Sequence, residues 1–132
     1  MTTIQRVAQV FGIGFLLVGI IGFFSTGLGT MTADPVTAPK MLGLFPVNVL
    51  LNIVHLLFGI WGVAASRSFT ASRTYGQVGG VIYLLLAVLG FVAPSGFGLV
   101  PLGGNGIWLH VLLGVVLAYF GFTARETARA AA

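Results

Sequence analysis

Four long apolar blocks alternate with short polar or glycine- and proline-rich segments along the chain. The blocks comprise residues 7–28, 47–65, 75–93 and 106–123, and none contains Lys, Arg, Asp or Glu. Each block has roughly 18–22 residues, and about 20 helical residues cross the hydrocarbon core of a bilayer. Every backbone N–H and C=O group in lipid must find a hydrogen-bond partner within the protein, so only helices or a closed β-barrel can span the membrane. Continuous apolar runs such as 82–89 lack the alternation of barrel strands, so the pattern predicts an all-α, four-helix transmembrane bundle.

Composition supports the same interpretation. Hydrophobic residues make up 58% of the 132 residues and charged residues 6%, whereas about 25% of an ordinary soluble domain is charged. A chain of this composition cannot cover a water-exposed surface, so we expect one integral membrane domain over residues 1–132. The first block is longer than the apolar region of a secretory signal, which has about 7–15 residues, and it is therefore predicted to be a retained helix.

The basic residues predict how the helices are oriented. A four-pass arrangement places five of the six on one side of the membrane: Arg6, Arg67, Arg73, Arg125 and Arg129. Only Lys40 falls in the other loops. Because Lys and Arg are enriched in cytoplasmic loops, we expect both termini in the cytoplasm, with the protein in a bacterial inner membrane. The arginines are interpreted as topology anchors that meet lipid headgroups, and no nucleic-acid partner is expected.

The connecting segments differ in character. Residues 27–46 contain several proline breakers, and their patch 41–45 is predicted to be a short apolar lid at the outer interface. Pro46 is expected to open the second helix. Residues 66–74 are predicted to form a polar loop, and the tail 123–132 is predicted to extend the fourth helix.

The two halves of the chain look related. The second block carries His55 followed by Gly59, and the fourth carries His110 followed by Gly114, with Asn52 and Asn105 upstream. Two helices per half would give a parallel repeat about an axis normal to the membrane. The matching stretches are short, so duplication and coincidence both stay open.

The two histidines are the main candidates for chemistry. His55 and His110 are the only histidines, both lie within predicted spans, and ionisable residues in lipid usually face the bundle interior. A histidine pair on two helices is suited to the axial ligation of haem b, and one histidine can hold the magnesium of a chlorophyll-type pigment. The alternative is hydrogen bonding between helices, with Asn48, Asn52, Asn105, Tyr83, Ser25 or Thr26 as partners.

Small residues accompany the histidines. Gly59 and Gly114 each lie four residues after a histidine, on the same helix face, and Ala118 extends the face in the fourth helix. Gly76 and Gly80 form a Gly-xxx-Gly pair in the third helix. Such faces allow another helix to approach closely or leave room for a flat macrocycle. We predict a helix-packing role for all five residues.

Several classes of site are excluded. The chain has no cysteine, and a stable zinc site wants about four ligands from His, Cys, Asp or Glu, so no metal site is predicted. The only acidic residues, Asp34 and Glu126, are expected on opposite sides of the membrane and cannot form a catalytic pair. No catalytic residues are identified, and the protein is predicted not to be an enzyme.

The segment Asn52-Ile53-Val54-His55 with Gly59 and the segment 105–110 with Gly114 resemble a known family. The chain is similar, over roughly its whole length, to small four-helix bacterial membrane proteins known only as a domain of unknown function. The resemblance implies the fold and the paired Asn and His positions. It implies no activity, substrate or cofactor.

The expected function is therefore non-enzymatic. We predict an accessory or scaffold subunit that packs against other integral membrane subunits or further copies of itself. Binding of haem or a chlorophyll-type pigment by His55 and His110 is the first alternative. A small transporter or channel for neutral solutes is the second.

Overall fold

Four helices make up most of the structure. The computed structural model describes residues 1–126, in which α1 spans Thr3–Thr26, α2 spans Val49–Ala65, α3 spans Phe69–Val92 and α4 spans Gly106–Thr123. Two short strands, β1 (Lys40–Met41) and β2 (Phe45–Pro46), pair antiparallel between α1 and α2. The predicted all-α class with four apolar helices is confirmed.

Side-chain caps make α1 and α3 begin earlier than predicted. The Thr2 hydroxyl accepts a hydrogen bond from the backbone N–H of Gln5, and the Gln5 side chain accepts one from the backbone N–H of Thr2 at 2.9 Å. This reciprocal capping box satisfies two N–H groups that a helix start leaves free. Ser68 caps α3 by accepting from the backbone N–H of Ala71 at 3.1 Å. The predicted loop 66–74 is therefore wrong, because the chain is helical from Phe69 onward.

Two other helix ends also differ from prediction. Pro46 belongs to β2, and α2 instead begins after Asn48, whose side chain accepts from the backbone N–H of Leu51 at 2.8 Å. At the other end of the chain, α4 ends at Thr123 because Ala124 has an extended backbone. The predicted extension of this helix is thus wrong at Ala124. Residues 127–132 of that predicted extension, with Arg129, lie outside the described residues.

The helices are arranged as two hairpins. α1 packs mainly against α2, and α3 packs mainly against α4, whereas contacts between the two pairs are fewer. A cluster of buried side chains joins the pairs, and it includes Ala8, Phe15, Tyr75, Tyr83 and Leu117. The weaker packing between hairpins matters for function, because the histidines lie along that boundary.

The same positions are buried in both hairpins. Six buried residues of α1 match, at one constant spacing along the chain, six buried residues of α3: Ile4, Ala8, Gly12, Phe15, Gly19 and Gly22 match Ser72, Gly76, Gly80, Tyr83, Ala87 and Gly90. His55 and Gly59 of α2 match His110 and Gly114 of α4 in the same way, and all four are buried. The hairpins thus present equivalent positions to the interior, as a parallel two-helix repeat requires.

The outer faces of the helices are apolar. α1, α3 and α4 are each long and apolar enough to cross a membrane, and α2 is a shorter apolar helix of 17 residues. Large exposed side chains on these faces include Leu17, Leu57, Leu85 and Leu112. Such a surface is typical of an integral membrane protein, whose solvent is the lipid chains.

Candidate functional site

Four aromatic or imidazole rings, one from each helix, meet near the middle of the bundle. The ring centroids of His55 and His110 lie 6.4 Å apart. Phe15 of α1 and Tyr83 of α3 stack at 4.9 Å with an interplanar angle of 27°. Each histidine also lies beside the aromatic ring of its own hairpin, at 6.1 Å from Phe15 to His55 and 5.4 Å from Tyr83 to His110. The structure therefore brings the two predicted site histidines together.

These four residues occupy equivalent positions in the two hairpins. Phe15 matches Tyr83 in the burial pattern of α1 and α3, and His55 matches His110 in that of α2 and α4. Equivalent residues are thus neighbours across the boundary between hairpins. The one chemical difference is the hydroxyl that Tyr83 adds to the position of Phe15.

The polar atoms of this cluster are buried and lack hydrogen-bond partners. His55 is 5% exposed and His110 2% exposed. Nδ1 of each histidine and the hydroxyl of Tyr83 have no hydrogen-bond partner among the described residues. Burying a polar group without a partner costs about 1–3 kcal/mol. Apolar side chains at these positions would therefore stabilise the bundle better, and a purely structural role does not explain the polar ones.

The buried asparagines considered as partners for the histidines donate elsewhere, and Oδ1 of Asn52 is itself buried without a partner among the described residues. Asn52 donates to the Thr26 hydroxyl at 3.0 Å, and Asn48 donates to the carbonyl oxygen of Leu99 at 2.8 Å. Asn52 and Asn105 are also not equivalent, since Asn52 is buried inside α2 and Asn105 lies exposed just before α4.

The small residues near the histidines lie where helices of one hairpin touch. A Cβ added to Gly59 would lie 2.7 Å from the backbone nitrogen of Leu16, and one added to Gly114 would lie 2.8 Å from that of Leu84. Space beside each glycine is therefore filled by the neighbouring helix of the same hairpin. A flat macrocycle at these glycines would require the helices to separate.

The Gly-xxx-Gly pair of α3 is used in the same way. A Cβ on Gly76 would lie 2.8 Å from the Cα of Gly121, and one on Gly80 would lie 2.5 Å from the backbone nitrogen of Ala118. Both glycines thus face α4 of the same chain. They are not free to receive a partner subunit.

A groove runs from the lipid-facing surface between α1 and α4 to His55. Its volume is about 250 Å³. Apart from His55 at the floor, the lining comes from α1 and α4: Val10, Phe11, Gly14, Phe15, Val18, Leu109 and Leu113. A Cβ on Gly14 would meet nothing within 4 Å. The groove is thus apolar, with one imidazole as its polar group.

The equivalent place between α3 and α2 carries larger side chains at two positions and a smaller one at a third, where Gly79 stands in place of Phe11. Ile82 stands where α1 has Gly14, and Phe58 stands where α4 has Leu113. The ring of Phe58 packs over Gly79, whose added Cβ would lie 3.6 Å from Cε1 of that ring. The groove is therefore particular to the α1–α4 side rather than a general consequence of joining two hairpins.

A second feature lies at the end of the bundle where α1 and α3 end. We call it the loop cap, residues 27–48 and 93–105. Its two loops are joined by hydrogen bonds from Asn48 to the carbonyl oxygen of Leu99 and from Asn105 to that of Leu44, the latter at 3.1 Å. The ring of Phe45 also contacts Trp108 of α4, with 5.3 Å between ring centroids. The predicted lid 41–45 forms the turn of the β1–β2 hairpin.

Two bulky apolar residues of the loop cap have unfavourable backbone conformations. Leu42 has φ 56° and is 71% exposed, and Phe97 has φ 58° and is 79% exposed. A positive φ costs a residue with a side chain about 1–2 kcal/mol, and turns of this kind normally use Gly or Asn. Strained residues cluster at functional positions.

The charged side chains of the loop cap form hydrogen bonds to backbone groups of their own loop. The Lys40 ammonium donates to the carbonyl oxygens of Val36 and Ala38, at 3.2 and 2.5 Å. The Asp34 carboxylate accepts from the backbone N–H of Val36 at 2.9 Å. The tips of the cap therefore present mainly apolar side chains.

Sequence reasoning missed several residues of these sites. Phe15, Phe58 and Gly14 were not identified, and Tyr83 was named only as a hydrogen-bonding candidate. Comparing the first and third blocks at a constant spacing would have found Phe15 and Tyr83. The strained turns at Leu42 and Phe97 leave no recognisable signal in sequence.

Comparison with known proteins identifies a family but no activity. A family model described as "Domain of unknown function (DUF4383)" matches residues 5–123. The resemblance drawn from the two Asn and His segments is thereby confirmed. No curated protein and no solved structure matches the chain.

Proposed function

We propose that the chain, which belongs to the DUF4383 family of domains of unknown function, is a non-enzymatic accessory subunit of a larger membrane complex. It crosses the inner membrane of a bacterium four times, with both termini in the cytoplasm. The observation that carries the proposal is the loop cap, which exposes Leu42 and Phe97 on strained turns.

The position of the loop cap is the reason for invoking a protein partner. Lipid chains account for the apolar outer faces of the helices, but the cap lies beyond the ends of α1 and α3. Contiguous apolar patches exposed outside the hydrocarbon region mark interaction sites. The glycine faces do not serve this purpose, since they are occupied within the chain, so the cap is the surface on which another integral membrane subunit would dock.

The test replaces the two strained residues with asparagine. Asn accepts a positive φ more readily than Leu or Phe, so the double variant Leu42→Asn with Phe97→Asn should fold at least as well as the wild type. We expect wild-type protein in mild detergent to co-purify with a defined membrane protein or with further copies of itself. The amount of partner that co-purifies with the double variant should be at least about tenfold lower.

Val36→Asn is the matched control, because Val36 is also an exposed apolar residue of the cap but does not have a positive φ. It should retain the association. Purification of the wild type as a lone monomer, or equal retention of the partner by the double variant, would contradict the proposal.

The second candidate function is binding of haem b or a chlorophyll-type pigment by His55 and His110. The closeness of the two imidazole rings, 6.4 Å between centroids, favours it, although Leu16 and Leu84 would have to move. A visible absorption band lost in both His55→Ala and His110→Ala would support this candidate. A colourless preparation from a host that makes the pigment would count against it.

A further inference from the structure

We propose that the groove between α1 and α4 binds a lipid-soluble quinone, whose flat carbonyl-bearing ring meets His55 while its chain stays among the lipid chains. The inference does not depend on the accessory role, because the groove and the loop cap share no residue. It rests on the access, the lining and the polar floor of the groove.

Access to the groove is from the lipid. The groove opens between the outer faces of α1 and α4, at the boundary where the two hairpins pack less closely. Sites for drug-sized ligands have volumes of about 300–1,000 Å³, so a cavity of about 250 Å³ accommodates one substituted ring. The remainder of a longer molecule would extend into the membrane.

The lining favours a flat ring. Three rings border the groove, those of Phe11, Phe15 and His55. The planes of Phe15 and His55 are within 15° of parallel. A conjugated ring gains offset or edge contacts with aromatic side chains, whereas an acyl chain gains nothing specific from them.

The floor of the groove supplies a hydrogen-bonding group for a carbonyl. A neutral imidazole carries one N–H donor and one acceptor nitrogen. His55 lines the groove, and because its Nδ1 is fully buried without a partner among the described residues, the other ring nitrogen, Nε2, is the group that would meet a ligand there. A carbonyl oxygen is a suitable acceptor at this position. Nδ1 of His110 and the Tyr83 hydroxyl are also buried without partners in the described part of the chain, and the ring centroids of both residues lie 6.4 Å from that of His55.

The depth of the site requires a neutral headgroup. His55 lies six residues into α2, about 9 Å from the start of that helix at 1.5 Å per residue. The four apolar blocks contain no Lys, Arg, Asp or Glu to balance a charge. A charged headgroup in the hydrocarbon region is costly, so phospholipid headgroups and carboxylates fit poorly, whereas quinones are neutral.

The experiment measures thermal stability of the purified full chain in detergent with decylubiquinone. A ligand that binds only the folded protein raises the melting temperature with concentration. We expect this rise with decylubiquinone. Decanol and decanoic acid, which have a chain of the same length but no quinone ring, are the comparison probes and should produce none. A rise of equal size with either comparison probe, or no rise with decylubiquinone, would overturn the proposal.

Two variants locate the effect in the groove. Gly14→Ile fills the groove with the residue that the other hairpin has at the equivalent position, so the fold should tolerate it and the stabilisation should disappear. His55→Phe keeps a ring but removes the hydrogen bond, and should weaken binding by about fivefold, the equivalent of one hydrogen bond.

Leu17→Phe is the control, because it adds bulk to α1 on an exposed position that does not line the groove. It should leave the response to decylubiquinone intact. If Gly14→Ile responds as the wild type does, the quinone is partitioning into detergent or binding elsewhere, and the groove is not its site.

Discussion

At the scale of single residues, five glycines inside the helices fall into two physical classes. Gly12, Gly59, Gly80 and Gly114 lie where a Cβ would meet the backbone of a neighbouring helix, at 2.5 to 2.8 Å. Gly14 lies in the same apolar surroundings, yet a Cβ there would meet nothing within 4 Å. The first class permits close helix contact, in which van der Waals packing stabilises membrane helices, and the second leaves space open.

Alanine substitution should separate the two classes. Gly80→Ala would place a methyl group 2.5 Å from the backbone nitrogen of Ala118, so α3 and α4 must move apart. Overpacking of this kind costs about 1–3 kcal/mol. Gly14→Ala meets no neighbour and should stabilise α1 by about 0.5–1 kcal/mol through reduced backbone entropy. Reversible unfolding in mixed micelles, followed by tryptophan fluorescence, measures both; equal effects would show that the contacts at Gly80 are not tight.

At the scale of elements, the ends of the helices depend on polar side chains that hydropathy does not weigh. α2 starts at Val49 because the buried side chain of Asn48 accepts a hydrogen bond from the first turn of the helix. The same side chain donates to the carbonyl oxygen of Leu99 and so holds the second loop of the loop cap, residues 93–105, in place. Asn105 occupies the corresponding place before α4, but it makes no capping hydrogen bond. The two asparagines therefore differ in importance although they look alike in sequence.

Asn48→Ala should accordingly be far more damaging than Asn105→Ala. The first variant removes a helix cap and the part-buried hydrogen bond from the fully buried Asn48 amide to the Leu99 carbonyl oxygen, which together cost about 2–3 kcal/mol. The second removes exposed hydrogen bonds and should cost less than about 1 kcal/mol. Hydrogen exchange at residues 27–48 provides a local readout, because the loop cap should lose protection in Asn48→Ala alone. Similar exchange in both variants would contradict the assigned role of Asn48.

Hydropathy alone predicted the number of helices, though not the two short strands, and the reason is physical. A bilayer demands about 20 apolar residues per helix, so each span leaves a long signal. The caps at Thr2 and Ser68 leave signals of one or two residues, which is why α1 and α3 begin earlier than expected. The site was predictable only in part: His55 and His110 stand out as the sole histidines, whereas Phe15 is one of 11 phenylalanines.

At the scale of the whole molecule, the two hairpins bury equivalent positions but differ in the side chains around them. Because equivalent positions are buried, Phe15 packs against Tyr83 and His55 lies beside His110 at the boundary between the hairpins. Gly14 and Leu113 on the α1–α4 side are smaller than Ile82 and Phe58 at the equivalent positions of the α3–α2 side. This difference leaves a groove open between α1 and α4. A repeated architecture thus supplies the polar cluster, and a few differences between its halves supply access from the lipid.

The proposed orientation of this bundle rests on its arginines. Arg6, Arg67, Arg73 and Arg125 lie at the end opposite the loop cap, and the preference of basic residues for the cytoplasm predicts that the cap lies outside. The chain has no native cysteine, so single cysteines report their side without interference. Val36→Cys in the cap should react with an impermeant maleimide in intact cells, whereas Thr70→Cys near the start of α3 should react only after lysis. Both residues are exposed, so accessibility to reagent is matched, and Thr70→Cys leaves every arginine in place. Labelling of Thr70→Cys in intact cells with Val36→Cys protected would invert the topology, and equal labelling of both would rule out a single orientation.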